Sequence, residues 1–310
     1  MRRDTTAPYT RSAVAMDTVI SITVVSPQPG DAVEERVERV MGWFRHIEGI
    51  CSRFEEGSEL RRLVARVGVP VQVSPVLFEA TRVAVTVARL SGGAFDPTVG
   101  GALERRGFDR NYRTGIPVAS AVGLTATPTY RDIRLDPARG TIALRRPLLL
   151  DLGAVAKGLA IDLAAREMAD LACVGYAIDA GGDLYVHGYN AEGAPWRVGL
   201  RHPRQTGALW EALRVSGAAV CTSGDDTRPS PVAPGEHHLL DPRTGRSPHA
   251  AASVTVVAPT AMLADALATA AFVLGPTRGL RLLMRQGVEG LIVSPTLGAH
   301  STPGFGRYRS

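Results

Sequence analysis

Leu148–Met168 reads LLLDLGAVAKGLAIDLAAREM. The leucine run has the character of a buried strand, Asp151-Leu152-Gly153 turns it, and a helix of small residues follows. Lys157 and Asp162 stand in that apolar setting, two charges that a pure core helix would not choose. Lys157 is also the one lysine among 35 basic side chains, the rest being arginine. An ammonium is a compact point charge and a guanidinium a wide planar fork. Either the position needs a compact ammonium or it holds a lysine snorkelling from a core helix.

Before this unit, DTVISITVVS alternates and is rich in β-branched residues, which predicts a strand. Val33, Val37, Val40, Met41, Phe44 and Ile47 recur at helical spacing over the next stretch. SPVLFEATRVAVTVARLSGG predicts a helix with Ser74 as N-cap, Pro75 at the first position and Gly92-Gly93 as the stop. Residues 104–140 read as loops and short strands, and GTIALRRPLLLDL as a strand pair. After the Lys157 helix come strands broken by Gly and Pro turns, in CVGYAIDAGGDLYVHGY, WRVGLRHP, LWEALRVSGAAVCTSG and HHLLDPRTGRSP. AASVTVVAP is a strand, TAMLADALATAAFVLG a helix ending at Gly275, PTRGLRLLMRQG a further helix and VEGLIVSP a closing strand. The mixed order predicts an α+β fold with helices packed on a largely antiparallel sheet.

The chain has 310 residues, 45% of them apolar, and a net charge of +5. The basic residues are scattered singly and in pairs, and aromatics make up only 5%. That composition argues against nucleic-acid binding, which needs basic clusters and stacking surfaces. Cys51, Cys173 and Cys221 lie far apart with no metal or redox spacing, which suits a reducing compartment. No stretch approaches the ~20 apolar residues of a membrane helix, and no signal core precedes the first strand. The expected location is cytoplasmic.

Several short stretches carry polar chemistry. Asp265 and Thr269 in ADALAT fall one helical turn apart, so a carboxylate and a hydroxyl share a face. Two hard oxygens suit magnesium; a helix cap or back-bonding hydroxyl explains them as well, and on spacing alone that is favoured. Asp96 in GAFDPTVGGAL is either a ligand acceptor or the pivot of an Asx turn. Gly181-Gly182 before Asp183 is a hairpin turn or room for a phosphate. HHLLDPRTG brings His237, His238, Asp241 and Arg243 together, where a histidine beside a carboxylate can act as a general base.

In order, MDTVISITV, CSRFEEGSEL, SGGAFDPTVG, DLGAVAKGLAID, DAGGDLYVHG, CTSGDD, HHLLDPRTG and SVTVVAPTAMLADALAT closely resemble the FAD:protein FMN transferase family, the ApbE-type flavin transferases. The resemblance runs from about Met16 to about Pro295. It implies a T-fold-like α+β core, magnesium as cofactor and FAD as substrate. The implied reaction joins FMN by a phosphoester to a Thr or Ser hydroxyl of a target flavoprotein and releases AMP.

Carried over by motif, Met16, Ala94, Phe95, Asp96, Lys157 and Leu239 would line the FAD site. The carbonyl of Ala154 with Asp265 and Thr269 would hold the metal, and His238, with Asp241 nearby, would supply the base. The chain departs from the family pattern at RRLVAR after SEL, at LERRGFDR, and at Asp226 after TSGD. The expected layout is a tail over residues 1–12, one catalytic domain over 13–302 and a second tail over 303–310. A flavin-sequestering protein and an FAD pyrophosphatase are the alternative readings. The first would release no AMP, and the second would need no protein target.

Overall fold

The computed structural model describes residues 7–28, 30–118, 120 and 127–310. The first six residues of the expected N-terminal tail, and residues 119 and 121–126 of the loop stretch, lie outside the described residues.

The chain runs β1 (Tyr9–Ala15), β2 (Thr18–Val25), α1 (Gly30–Cys51), α2 (Glu59–Val64), β3 (Pro70–Gln72), α3 (Pro75–Leu90) and α4 (Gly100–Glu104). It continues with β4 (Ile133–Asp136), β5 (Thr141–Leu144), α5 (Gly153–Met168), β6 (Gly175–Ala180), β7 (Asp183–Gly188), β8 (Trp196–Arg201) and β9 (Leu209–Val215). Then follow β10 (Ala218–Gly224), β11 (Ser253–Ala258), α6 (Ala261–Arg285), β12 (Glu289–Val293) and β13 (Ala299–Ser301). An eight-stranded sheet in the order β1-β2-β6-β7-β10-β11-β12-β13 is antiparallel at each junction. β3-β5-β4 and β8-β9 form two small sheets. This is the α+β arrangement expected.

One face of the large sheet packs under the helices. Ile20, Ile22, Ile178, Cys221, Val254 and Val256 share a core with Phe44, Leu77, Leu159, Ile161, Leu267 and Phe272. The opposite face meets the β8–β9 ribbon through Val186, Val198, Leu213, Val257 and Leu291. β11 is buried at every residue, its Ser253 and Thr255 included, and Thr255 Oγ1 meets Thr222 Oγ1 at 2.9 Å. The expected C-terminal tail packs into this second core through Phe305, which is fully buried.

Local chemistry accounts for the element ends. Ser74 Oγ accepts from Leu77 N at the start of α3, ahead of Pro75. Gly275, at φ 72° and ψ 179°, breaks α6 before Pro276, which has no amide to continue the ladder. The helix expected to end at Gly275 and its successor are therefore two helical pieces across one kink.

Two expected strands are not strands. Leu148, Leu149 and Leu150 are 0, 3 and 0% exposed but form no ladder. Pro147 lacks an amide, and the run is held by its neighbouring loop: Asp151 N donates to Pro97 O at 2.8 Å. A Cβ on Gly100 would lie 2.6 Å from Leu149 O, so the leucines pack against that loop and not a strand partner. HHLLDPRTGRSP makes only two isolated bridges, Pro229 with His237 and Asp241 with Arg246. The Asp241 side chain accepts from Arg243 N at 3.0 Å and folds the segment into a turn.

α5 crosses the start of α6 at Gly158. A Cβ there would stand 2.5 Å from Met262 N and 2.6 Å from Ala261 C, both backbone atoms. One turn on, Asp162 accepts from Ala261 N at 2.7 Å and Met262 N at 3.0 Å, capping α6. Burial pushes the Asp162 carboxyl up to about 6 despite these two amides. The charge that looked misplaced in α5 is the N-cap of another helix. Gly158→Ala is expected to force the helices apart and cost about 1–3 kcal/mol, as overpacking does, measured as a lower thermal midpoint. An unchanged midpoint would show that the crossing is loose.

Candidate active site

The α5–α6 crossing brings Lys157 and Asp265 together, and the β6–β7 turn brings in a third group. Gly181 and Gly182 take φ 69° and 98°, and Gly182 N donates to Asp179 Oδ1 at 2.8 Å. This two-residue turn sets Asp183 at the first position of β7, pointing to the helix side. Asp183 pairs closely with the Lys157 ammonium through Oδ2, and its Oδ1 accepts from Thr222 N at 3.0 Å. Lys157 Nζ is also 3.5 Å from Asp265 Oδ2. One ammonium thus serves two buried carboxylates.

Burial raises the Asp265 carboxyl above its ordinary range, against the pull of Lys157 and Arg228. Its Oδ2 is shut off from solvent and takes no hydrogen bond. An anionic oxygen in that state is short of positive partners. Thr269, one turn along α6, places Oγ1 3.2 Å from Ser223 Oγ. Ala154 lies in the first turn of α5, half-exposed beside exposed Gly153. The Asp265 carboxylate and Thr269 hydroxyl, one turn apart, are hard oxygens of the kind a magnesium ion takes. No group of three or more His, Cys, Asp or Glu side chains stands together as a metal cluster among the described residues.

His238 is half-buried, and its Nδ1 is enclosed with no partner. Burial, with Arg228, His237 and Lys157 adding, lowers its pKa to about 3, so the ring is neutral. The Phe108 ring meets it edge-on at 6.5 Å. Asp241 is occupied: Oδ1 accepts from Arg243 Nε at 2.9 Å and Oδ2 from Nη2 at 2.6 Å. Burial opposes its charge, yet the Arg243 guanidinium and amide hold the carboxyl below the usual range. Asp241 in this structure shapes the turn that carries His238 and Leu239.

The other expected FAD contacts are spread over three segments: the β1–β2 turn, the loop after α3 and the stretch that follows His238. Met16, at φ 53°, and Asp17, at φ 60°, form the two-residue β1–β2 turn, and Met16 N donates to Glu48 Oε1 at 3.2 Å. Ala94, Phe95 and Leu239 are buried. Asp96 Oδ1 accepts from Thr98 N at 2.9 Å and Thr98 Oγ1 at 2.8 Å, and Oδ2 from Tyr130 N at 2.9 Å. These bonds make Asp96 the pivot of its loop, and burial still raises its pKa.

Sequence reasoning passed over Arg53 and the Asp151 side chain. Arg53 Nε donates to Asp151 Oδ2 at 2.6 Å, while Asp151 Oδ1 accepts from Gly153 N at 2.9 Å at the head of α5. Arg53 is 8% exposed, and its burial, rare for an arginine, becomes visible only in the fold.

The ApbE family profile matches residues 16–292. An FAD:protein FMN transferase of Treponema pallidum is 32% identical, over 96% of this chain and 87% of that protein. One of Haemophilus influenzae is 28% identical, over 89% and 81%. The crystal structure of the Thermotoga maritima ApbE protein superposes with a TM-score of 0.86 at 28% identity, covering 98% of this chain and 100% of that one. The flavin transferase ApbE of Vibrio cholerae gives 0.84 at 25% identity, covering 97% and 99%. With a match that spans the α5–α6 crossing, Asp183 and His238 alike, the chain belongs to the ApbE family.

Proposed function

We propose that this enzyme uses FAD and magnesium to place FMN on a Thr or Ser hydroxyl of a target flavoprotein, with AMP as the second product. The observation that carries the reading is the buried Oδ2 of Asp265, which takes no hydrogen bond and shares the Lys157 ammonium, 3.5 Å away, with Asp183. Asp265, Thr269 and the Ala154 carbonyl would hold the magnesium ion. When bound, it supplies charge neutralisation to a transferring phosphoryl group.

The chain's own residues supply the rest. Lys157 and the outward-facing first turn of α5 direct positive potential toward the diphosphate. Met16, the Ala94–Asp96 loop and Leu239 line the flavin. The target hydroxyl oxygen forms a bond to the FMN phosphorus as the bond from that phosphorus to the bridging oxygen breaks. The hydroxyl proton passes to His238, and AMP leaves with the bridging oxygen. His238 starts neutral, and an arriving diphosphate raises its affinity for a proton. The described cysteines are all free, consistent with work in a reducing compartment, and no described helix is long and apolar enough to cross a membrane. We read the catalytic domain as running past the expected bounds of 13–302, because β1 pairs with β2 from Tyr9 onward and Phe305 is fully buried in the second core.

His238→Ala is expected to slow transfer by about 10²–10⁴-fold, the range for a lost acid–base group, while FAD affinity changes little. Calorimetry for binding and intact mass of a flavinylated acceptor for transfer would read the two quantities. Equal losses in both would make His238 a binding residue. Formation of free FMN in place of acceptor-bound FMN would favour the pyrophosphatase reading.

A further inference from the structure

One side chain ties the β1–β2 turn to the segment that carries His238. Arg228 Nη2 lies 3.2 Å from Asp17 Oδ2 and donates to Asp17 O at 3.4 Å. His238 N donates to Arg228 O at 3.1 Å, so this guanidinium springs from the backbone that holds the proposed base. Both side chains are about half exposed, at 50% and 49%. A pair in that setting is weak and readily exchanged. Met16 and Asp17 are non-glycine residues at positive φ, a conformation that tends to mark functional sites.

The buried cluster is short of cations, since the Lys157 ammonium is shared between two carboxylates. An FAD diphosphate adds two negative charges. Arg53, Arg204 and Arg243 are engaged with Asp151, Asp225 and Asp241 through pairs at 2.6–2.7 Å. Arg228 has the longer, more exposed pairing, and its own carbonyl accepts from the His238 amide.

We propose that Arg228 is a diphosphate-binding residue held in reserve: Asp17 occupies its guanidinium in the free enzyme, and the diphosphate of FAD takes it over. This rests on the reading of FAD as the substrate. Asp17 competes with the ligand for one guanidinium, so the two partners of a single ion pair affect binding in opposite directions. A tie that only holds the turn would make both losses harmful.

The test is calorimetric binding of FAD, ADP and riboflavin, with magnesium and no acceptor, to the parent and to Asp17→Asn, Arg228→Met and Arg228→Lys. Asn tolerates the left-handed conformation that residue 17 adopts. Asp17→Asn should tighten FAD and ADP by roughly two- to fivefold, the value of an exposed pair. Arg228→Met should weaken both by roughly tenfold or more, the value of a charge-assisted bond, and Arg228→Lys should recover part of the loss. Riboflavin, without phosphate, should respond to none of them. Weaker FAD binding in Asp17→Asn, or no change in it, overturns the proposal even if Arg228→Met fails to fold. A parent that binds riboflavin but neither FAD nor ADP would instead overturn the substrate reading.

Discussion

Asp265→Ala is expected to lose magnesium-dependent transfer by roughly a thousandfold while folding at least as well as the parent, since a metal's charge stabilisation amounts to several kcal/mol. The separation of the two effects follows from burial. Asp265 stands in the interior with one oxygen that takes no hydrogen bond, and burial raises its carboxyl. A carboxyl raised in the folded state binds more protons there than in the unfolded chain. Stability from this group is therefore greatest in acid and is lost as pH rises from the ordinary carboxylate range through the folded value. Removing the side chain removes that loss, and Lys157 keeps Asp183 as partner. Thermal midpoints across the acid-to-neutral range should fall less steeply for the variant, and acceptor flavinylation at limiting magnesium should be absent. Parental transfer by Asp265→Ala would end the metal assignment. Thr269→Ala should be milder, because water can replace a neutral hydroxyl.

Elements with local punctuation were legible in the sequence. The Ser74-Pro75 start of α3, the Gly275-Pro276 break in α6 and the Gly181-Gly182 hairpin each carry their own signal within a few residues. The leucine run misled, because continuous burial is compatible with a packed loop as well as a strand. Among site residues, Asp265 and Thr269 were visible as a helical pair, and Lys157 by its rarity among arginines. Their mutual arrangement was not. It depends on Gly158 letting α5 meet α6, on Asp162 capping a helix 99 residues away, and on β7 lying beside β10. None of these has a periodicity to read. Asp183 looked like a companion of a glycine turn and proves to be the closest partner of the lone lysine.

Lys157→Met is expected to be the most destabilising of these substitutions, by about 3–5 kcal/mol at neutral pH, the cost of removing one partner from a buried ion pair. Asp183 and Asp265, both nearly buried, would face each other across the vacated position. Two carboxylates so placed resist joint ionisation, and one takes up a proton as pH falls. The variant's folded state then binds more protons than its unfolded state, so the deficit against the parent should shrink toward acid pH and widen toward alkaline. A deficit that stays flat with pH would show that the carboxylates are not its source. Lys157→Arg separates stability from chemistry. It keeps the charge, so its thermal midpoint should stay near the parent's. The guanidinium can engage Asp183 and Asp265 together through its planar fork, hydrogen-bonding the Asp265 oxygen that takes no such bond from Lys157. Folding is then retained while magnesium-dependent transfer is lost, and transfer at the parental rate by the arginine variant would show that the one lysine of this chain has no role that an arginine cannot fill.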